Sequence, residues 1–201
     1  MKQVGESAYL FEVASSEAAL AVYLRMQDRA LPSVDEVVPG AASVLVVFSE
    51  PPSQTDVAAI QELATACDPG QSETPASEHE IGVHYDGPDL VPLARAVGLH
   101  RDAVVELHSQ TRYRVAFLGF QPGFAYLSGL PRALVTPRRE SPRTAIPPGS
   151  VAIGGAWTGI YPAESPGGWH LLGSTDICLF DAAHVPPSRL QPGDQVRFVA
   201  R

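Results

Sequence analysis

Four Pro-Gly pairs punctuate the second half of this 201-residue chain, and they limit what it can fold into: Pro122-Gly123, Pro148-Gly149, Pro166-Gly167 and Pro192-Gly193. Proline at the second and glycine at the third position of a turn suits type II geometry, where the third residue needs a positive φ. Short apolar stretches run between the pairs, and no long helical period appears after Phe120. Many short strands joined by tight turns read as a closed β-barrel or a sandwich. Residues 112–120, with Tyr113, Val115 and Phe117 alternating, are expected to form an early strand, and residues 196–199 the last one. Two short helices are expected before them, at residues 89–97 and 101–110.

The first half alternates strands and helices instead. Residues 9–13 read as a strand. A helix follows over 16–29, with Ser16 as its cap and Leu20, Tyr23, Leu24 and Gln27 along one side. Residues 34–38 form a short strand. The nearly continuous apolar run 43–48 is expected to be a strand covered on both faces. A second helix is expected over 55–67, ended by Asp68-Pro69-Gly70, then a polar loop over 71–77 and a strand over 79–85 with Ile81, Val83 and Tyr85 alternating. The order βαββαβ fits a small sandwich built on a split β-α-β unit. The expected fold class is therefore α+β: an N-terminal α+β domain over 1–85 and a β-barrel or sandwich domain over 86–201, divided near Asp86.

Charge separates the two halves. The net charge is −8, which argues against general nucleic-acid binding. Residues 1–85 carry 13 Asp/Glu against 3 basic residues, whereas residues 86–201 carry 11 Arg against 9 Asp/Glu. Lys2 is the only lysine, which removes a lysine nucleophile, a Schiff base and a P-loop lysine. Cys67 and Cys178 are far apart and are expected to be isolated buried thiols. The six histidines are scattered, so no metal site is expected. No apolar run reaches the length of a membrane span, and no apolar core and cleavage site follow the N-terminal Met-Lys-Gln-Val-Gly-Glu. A cytoplasmic location is expected. Gly-x-Ser-x-Gly, Ser-x-x-Lys, Walker and Gly-x-Gly-x-x-Gly motifs are all missing, so a stand-alone serine hydrolase or ATPase is not supported.

Three stretches are candidates for chemistry. Residues 119–127 (Gly-Phe-Gln-Pro-Gly-Phe-Ala-Tyr-Leu) set aromatics on a rigid turn, either as the wall of a small-molecule site or as a barrel corner filling the core. The proline-braced loop from Pro131 to Arg143 holds Arg132, Arg138, Arg139 and Arg143. Their forked donors suit a carboxylate or phosphate; the alternatives are a solvated loop or a salt bridge to the acidic half. Gly159-Ile160-Tyr161-Pro162 leads into Ser165-Pro166-Gly167-Gly168-Trp169-His170, where paired glycines allow an anion nest, Trp169 offers a stacking face and His170 a titratable group. The alternative for His170, and more so for His108, is a structural histidine.

These stretches, in this order, are similar to the family that includes allophanate hydrolase subunit 1, the PxpB component of 5-oxoprolinase and KipI-type kinase inhibitors. The family also forms the C and D subdomains of the carboxyltransferase region of urea carboxylase. The match runs from about Asp86 to the end and adds Tyr85-Asp86-Gly87-Pro88-Asp89-Leu90, Pro148-Gly149-Ser150-Val151-Ala152-Ile153 and Gly193-Asp194 to those stretches. The resemblance implies a cyclophilin-like barrel after the small α+β domain. It implies a non-autonomous subunit of an ATP-hydrolysing amide hydrolase, with ATP and Mg²⁺ bound here or shared with a partner. The partner is a related barrel-fold protein of the PxpC or allophanate hydrolase subunit 2 type, with a third subunit of the PxpA type. In the 5-oxoprolinase case, the assembly phosphorylates the amide oxygen of 5-oxoproline and hydrolyses the ring to glutamate. The alternative is a regulator that inhibits a sensor histidine kinase. Candidate catalytic residues are His170 and Tyr161. Candidate substrate-binding residues are Phe120, Gln121, Gly123, Tyr126, Arg138, Arg139, Arg143, Gly167, Gly168 and Trp169. The chain departs from the family pattern at Ser128, at Trp157 and at Ser174, the last replacing an arginine and so removing one candidate anion contact.

Overall fold

The computed structural model describes residues 1–29, 33–65 and 77–201. Two compact units divide the chain, residues 1–75 and 76–201.

The first unit contains β1 (Lys2–Gln3), β2 (Ala8–Glu12), α1 (Ser16–Arg29), β3 (Val34–Pro39), β4 (Ser43–Phe48) and α2 (Gln54–Thr65). Its sheet runs β1-β2-β4-β3, all antiparallel, so β4 sits between the two strands that α1 connects. That is the split β-α-β arrangement. The residues that meet the sheet on α1 are Ala19, Val22 and Met26, packed with Phe11, Val44, Val46, Phe48 and Ile60 of α2. Of the expected stripe, Leu20 and Leu24 are buried, Tyr23 is half-buried and Gln27 is exposed, because the small Ala19 rather than a larger side chain marks the line of closest approach. Ser15, not Ser16, caps α1: its Oγ accepts from the Ala18 amide at 3.3 Å. At α2, Ser53 and Asp56 cap each other, the Asp56 amide donating to Ser53 Oγ and the Ser53 amide to the Asp56 carboxylate. Burial along β4 alternates, with Val44, Val46 and Phe48 inside and the residues between them half-exposed, so one face is covered and not both. Cys67, the turn at 68–70 and loop residues 71–76 lie outside the described residues.

The second unit contains β5 (Glu78–Val83), α3 (Leu90–Ala96), α4 (Arg101–Gln110), β6 (Arg112–Leu118), β7 (Ala125–Ser128), β8 (Arg143–Ile146), β9 (Ser150–Gly154), β10 (Trp157–Ile160), β11 (Ser165–Gly167), β12 (His170–Ser174) and β13 (Gln195–Ala200). Seven strands form one sheet in the order β12-β9-β10-β7-β6-β13-β5, and β8 pairs with β11 beside it. The sheet comes close to closing on itself. Just past β5, His84 exchanges two 2.9 Å backbone hydrogen bonds with Ser174 on β12, and the Gly87 and Asp89 amides continue the seam to the carbonyls of Leu172 and Leu171. Glycine makes this approach possible: a Cβ at Gly173 would lie 2.2 Å from the His84 carbonyl oxygen, and one at Gly87 would lie 2.3 Å from that of Leu171.

The sequence placed residues 79–85 last in the N-terminal domain. The structure corrects this: β5 pairs in parallel with the C-terminal β13 from Glu78 to Val83, so it belongs to the barrel and the division falls earlier than Asp86. Alternation reveals a strand but not the sheet it joins. Asp194 fixes this end of the barrel, accepting from the amides of Ser77 and Gln191 and pairing with His79 Nε2 at 2.8 Å. Three of the four Pro-Gly pairs are type II turns. Gly123, Gly149 and Gly193 have φ of 80°, 77° and 98°, and each turn closes with a hydrogen bond from the residue after glycine to the residue before proline. Pro166-Gly167 is instead extended in β11.

The barrel core gathers Ile81, Val83, Val115, Leu127, Val151 and Ile153 from the strands and Leu90, Leu93 and Val104 from the two helices. His108 is fully buried among them. Thr158 Oγ1 donates to the Ala152 carbonyl, so it accepts from His108 Nε2–H at 2.8 Å, and His108 Nδ1 accepts from the Tyr85 hydroxyl at 2.7 Å. Every polar atom of the ring is satisfied, and burial pushes its pKa down to about 3, so His108 is a neutral structural member of the core. Cys178, expected to be buried, is exposed. Among the described residues no helix is long and apolar enough to cross a membrane.

Candidate functional site

The three stretches singled out in the sequence meet at one cleft. Phe120, Phe124 and Tyr126 come from the turn between β6 and β7 and from β7 itself, Tyr161 from the end of β10, Gly167 to Trp169 from β11 onward, and Arg138 from the loop before β8. Together they enclose about 310 Å³ of space open to solvent. Phe124, Tyr161 and Trp169 are 1%, 2% and 4% exposed and form the floor as a separate aromatic cluster with Ile146, Ala152 and Leu171. Their rings meet edge to face, Phe124 lying 5.3 Å from Tyr161 and 5.4 Å from Trp169. The indole lies flat on β9 because Gly154 has no side chain; a Cβ there would be 2.6 Å from Trp169 Cδ1.

The arginine loop divides by role. Asp89, 3% exposed at the start of α3, takes a bidentate pair from Arg143 and a third guanidinium hydrogen bond from Arg139, all at 2.8 Å. The Leu171 amide supplies a fourth donor at 2.8 Å. Burial pushes the Asp89 pKa up, but the Arg143 hydrogen bonds, the Leu171 amide and the two positive charges outweigh it and hold the carboxyl below its usual range. Arg139 and Arg143 are thus committed to a carboxylate of their own chain. Arg138 is exposed, lines the cleft and has no carboxylate partner among the described residues. The loop that carries it is pinned on both sides, the Arg139 amide donating to the Gly168 carbonyl at 2.7 Å and His170 Nε2 to the Pro137 carbonyl at 2.9 Å.

Tyr161 and His170 separate in the same way. Burial pushes the Tyr161 pKa up, so its hydroxyl stays protonated and is a donor rather than a base. The hydroxyl packs against the bare backbone of Gly167, where a Cβ would lie 2.4 Å from the Tyr161 hydroxyl oxygen. His170 does not line the cleft and holds the loop backbone. His170→Gln, which keeps a donor for Pro137, is expected to hold turnover within about threefold of the parent and leave the pH–rate profile unmoved. A loss of roughly 100-fold, the scale of general acid–base catalysis, would return His170 to the chemistry.

Gln121 and Gly123 shape the turn and do not line the cleft. The Gln121 side chain reaches the Ala163 carbonyl at 3.4 Å, and Gly123 supplies the positive φ. Sequence reasoning passed over Asp89, which organises the loop, and Phe124, which floors the cleft. Asp89 reads locally as a helix cap; the signal that could have found it is an acid beside two arginines whose proline-braced loop needs a counter-ion. Among the described residues no three His, Cys, Asp or Glu side chains converge on a metal site.

Residues 1–190 match the family described as carboxyltransferase domain, subdomain C and D. The chain belongs to that family. Among the relatives of this carboxyltransferase-family protein is the B subunit of 5-oxoprolinase from Escherichia coli O157:H7, 44% identical over 206 residues, covering 98% of this chain and 93% of the relative. The protein of the same name from Haemophilus influenzae is 50% identical over 123 residues, covering 60% and 58%. Of solved structures, TTHA0988 superposes with a TM-score of 0.80 at 33% identity. This chain is covered to 96% but spans only 40% of TTHA0988. PH0987 from Pyrococcus horikoshii gives 0.60 at 36% identity, with 100% and 96% covered. The family relation thus extends across both units, including the N-terminal half whose motifs were silent.

Proposed function

We propose that this chain is the PxpB-type component of a 5-oxoprolinase, one part of an assembly that opens the lactam of 5-oxoproline to glutamate with hydrolysis of ATP. One observation carries the reading: in a chain similar over nearly its full length to a 5-oxoprolinase component, a single uncommitted arginine faces an aromatic cleft with a glycine edge. The substrate is a compact, flat ring with one carboxylate. Arg138 is the natural holder of the carboxylate, the aromatic walls of the ring, and the Tyr161 hydroxyl of the lactam oxygen or nitrogen. In the reaction, the γ-phosphoryl group of ATP passes to the lactam oxygen and ADP leaves. Water then adds to the activated carbon, the ring C–N bond breaks with a proton going to nitrogen, and a second water hydrolyses the resulting acyl phosphate to the free carboxylate and phosphate. Tyr161, protonated and buried, supplies a hydrogen bond to the charge that develops at oxygen.

The cleft offers one cation and no group of carboxylates, so it suits the lactam better than a triphosphate with Mg²⁺. The nucleotide is assigned to the partner side, on a barrel-fold protein of the PxpC type, with a third subunit of the PxpA type completing the assembly. A cytoplasmic location accords with ATP as co-substrate. The test is to purify the chain with its partners and measure ATP hydrolysis with and without 5-oxoproline. Lactam-dependent hydrolysis is expected from the assembly and none from this chain alone. Activity from the single chain contradicts the partner-dependent scheme. A stable complex with a sensor histidine kinase, without lactam-dependent hydrolysis, would establish the regulatory alternative.

A further inference from the structure

We infer that Phe120 is the specificity residue of the cleft: a tight, strained turn holds its ring over the opening so that it closes on the flat face of a compact cyclic substrate. This rests on the 5-oxoprolinase reading above and names the residue that selects a ring over an open chain.

Phe120 has φ of 70° and is the one non-glycine residue with positive φ among the described residues. The Gln121 amide donates to the Gly119 carbonyl at 2.8 Å, so residues 119–121 form a γ-turn of the rare, strained type centred on Phe120. The type II turn of residues 121–124 follows at once, and the Gly119 amide donates back to the Phe124 carbonyl at 3.1 Å. The pair of turns is braced from behind. Gly123 packs so closely on residues 179 and 180 that a Cβ would lie 2.7 Å from Phe180 Cβ. The backbone has little room to relax, and the Phe120 ring is left 58% exposed. It stands edge to face with Phe124 at 5.4 Å and Tyr161 at 6.2 Å, on the lining of the same cleft as Arg138.

Two unfavourable features coincide at one residue. A bulky side chain occupies a backbone conformation that glycine would adopt freely, and its apolar ring gains little burial within the chain. Its two edge contacts with Phe124 and Tyr161 leave the exposed face of the ring uncovered, and a bound ring would cover it. With Arg138 holding a carboxylate, a planar ring presents its face to Phe120, and an extended amide does not.

The test uses the assembled enzyme with Phe120→Ala, Phe120→Gly and Phe120→Tyr. Loss of the ring is expected to raise the KM for 5-oxoproline about tenfold in the first two, the scale of one aromatic contact, while Tyr restores it to within about threefold. The KM for ATP should not move. Inhibition by an open-chain amide acid, N-acetylglycine, should change by less than about twofold. Phe120→Gly should also melt at a higher temperature than Phe120→Ala, because it relieves the positive φ. An unchanged KM for 5-oxoproline in both ring-less variants overturns the proposal. So does weaker association with the partner together with an unchanged KM at saturating partner, which would make Phe120 a protein contact. If the parent assembly shows no lactam-dependent ATP hydrolysis, the chain is not part of a 5-oxoprolinase and the proposal falls with that assignment.

Discussion

Asp89→Ala is expected to lower the stability of the barrel unit by about 3 kcal/mol, or about 10 °C in Tm for a domain of this size. The carboxylate accepts four hydrogen bonds and neutralises two guanidinium groups, and its removal leaves both half-buried cations and the Leu171 amide without an acceptor. The partial exposure of the Arg139 and Arg143 side chains, 33% and 24%, keeps the loss near the lower end for a broken buried pair, because water can reach them. The penalty depends on pH with a definite sign. The folded-state pKa of Asp89 lies below its usual value, so the carboxylate contributes stability above the unfolded-state pKa of about 4 and loses it as pH falls through the folded value. Thermal melts of the parent and the variant should therefore converge as pH drops below about 4. Arg143→Ala should follow the same pattern, since Arg143 supplies two of those hydrogen bonds. An equal Tm for parent and Asp89→Ala at pH 7 would mean the cluster is ornamental to the fold.

Arg138→Ala is expected to behave in the opposite way. Its guanidinium has no carboxylate partner among the described residues, so stability should change by less than about 0.5 kcal/mol, as for an ordinary surface residue. The loss should fall on the substrate instead. A hydrogen bond to a charged group is worth about 1.5–3 kcal/mol, so the KM for 5-oxoproline in the assembled enzyme should rise about 10- to 100-fold. Because the carboxylate's own bonds and charge do not change in the reaction, kcat should change less than KM, the signature of an interaction made equally in ground and transition states. Arg138→Lys should recover part of the loss, keeping the charge without the fork. Steady-state kinetics of the three proteins decide the matter, and a KM equal to that of the parent would remove Arg138 from the site.

The contrast between these two variants marks what the sequence could and could not convey. The Pro-Gly pairs announced short strands joined by tight turns because their chemistry is local: proline fixes φ at one position and glycine permits a positive φ at the next, and three pairs fold as that chemistry requires. Pro166-Gly167 escaped the rule because its partner is β8, a pairing that no local signal contains. β5 misled for the same reason. Its alternation was plain, but its neighbour β13 is more than a hundred residues away, and its parallel pairing moved the domain division. At the site, the aromatic turn, the glycine pair and the arginine loop were all legible as unusual, and they do converge. Their assignments were not legible. Which of Arg138, Arg139 and Arg143 stays free depends on Asp89, fifty positions away in sequence and brought close only by the seam at Gly87 and Gly173. His170 follows Trp169 directly, yet the indole floors the cleft and the imidazole holds Pro137, as neighbours on an extended chain point opposite ways.

The most direct test of this account is a crystal structure of the assembled enzyme with 5-oxoproline bound. It should show the substrate carboxylate within hydrogen-bonding distance of the Arg138 guanidinium and the ring beneath Phe120. The lactam should face Tyr161, with the nucleotide entering from the partner side. A lactam bound away from this cleft, or a carboxylate held by the partner while Arg138 points into solvent, would contradict it.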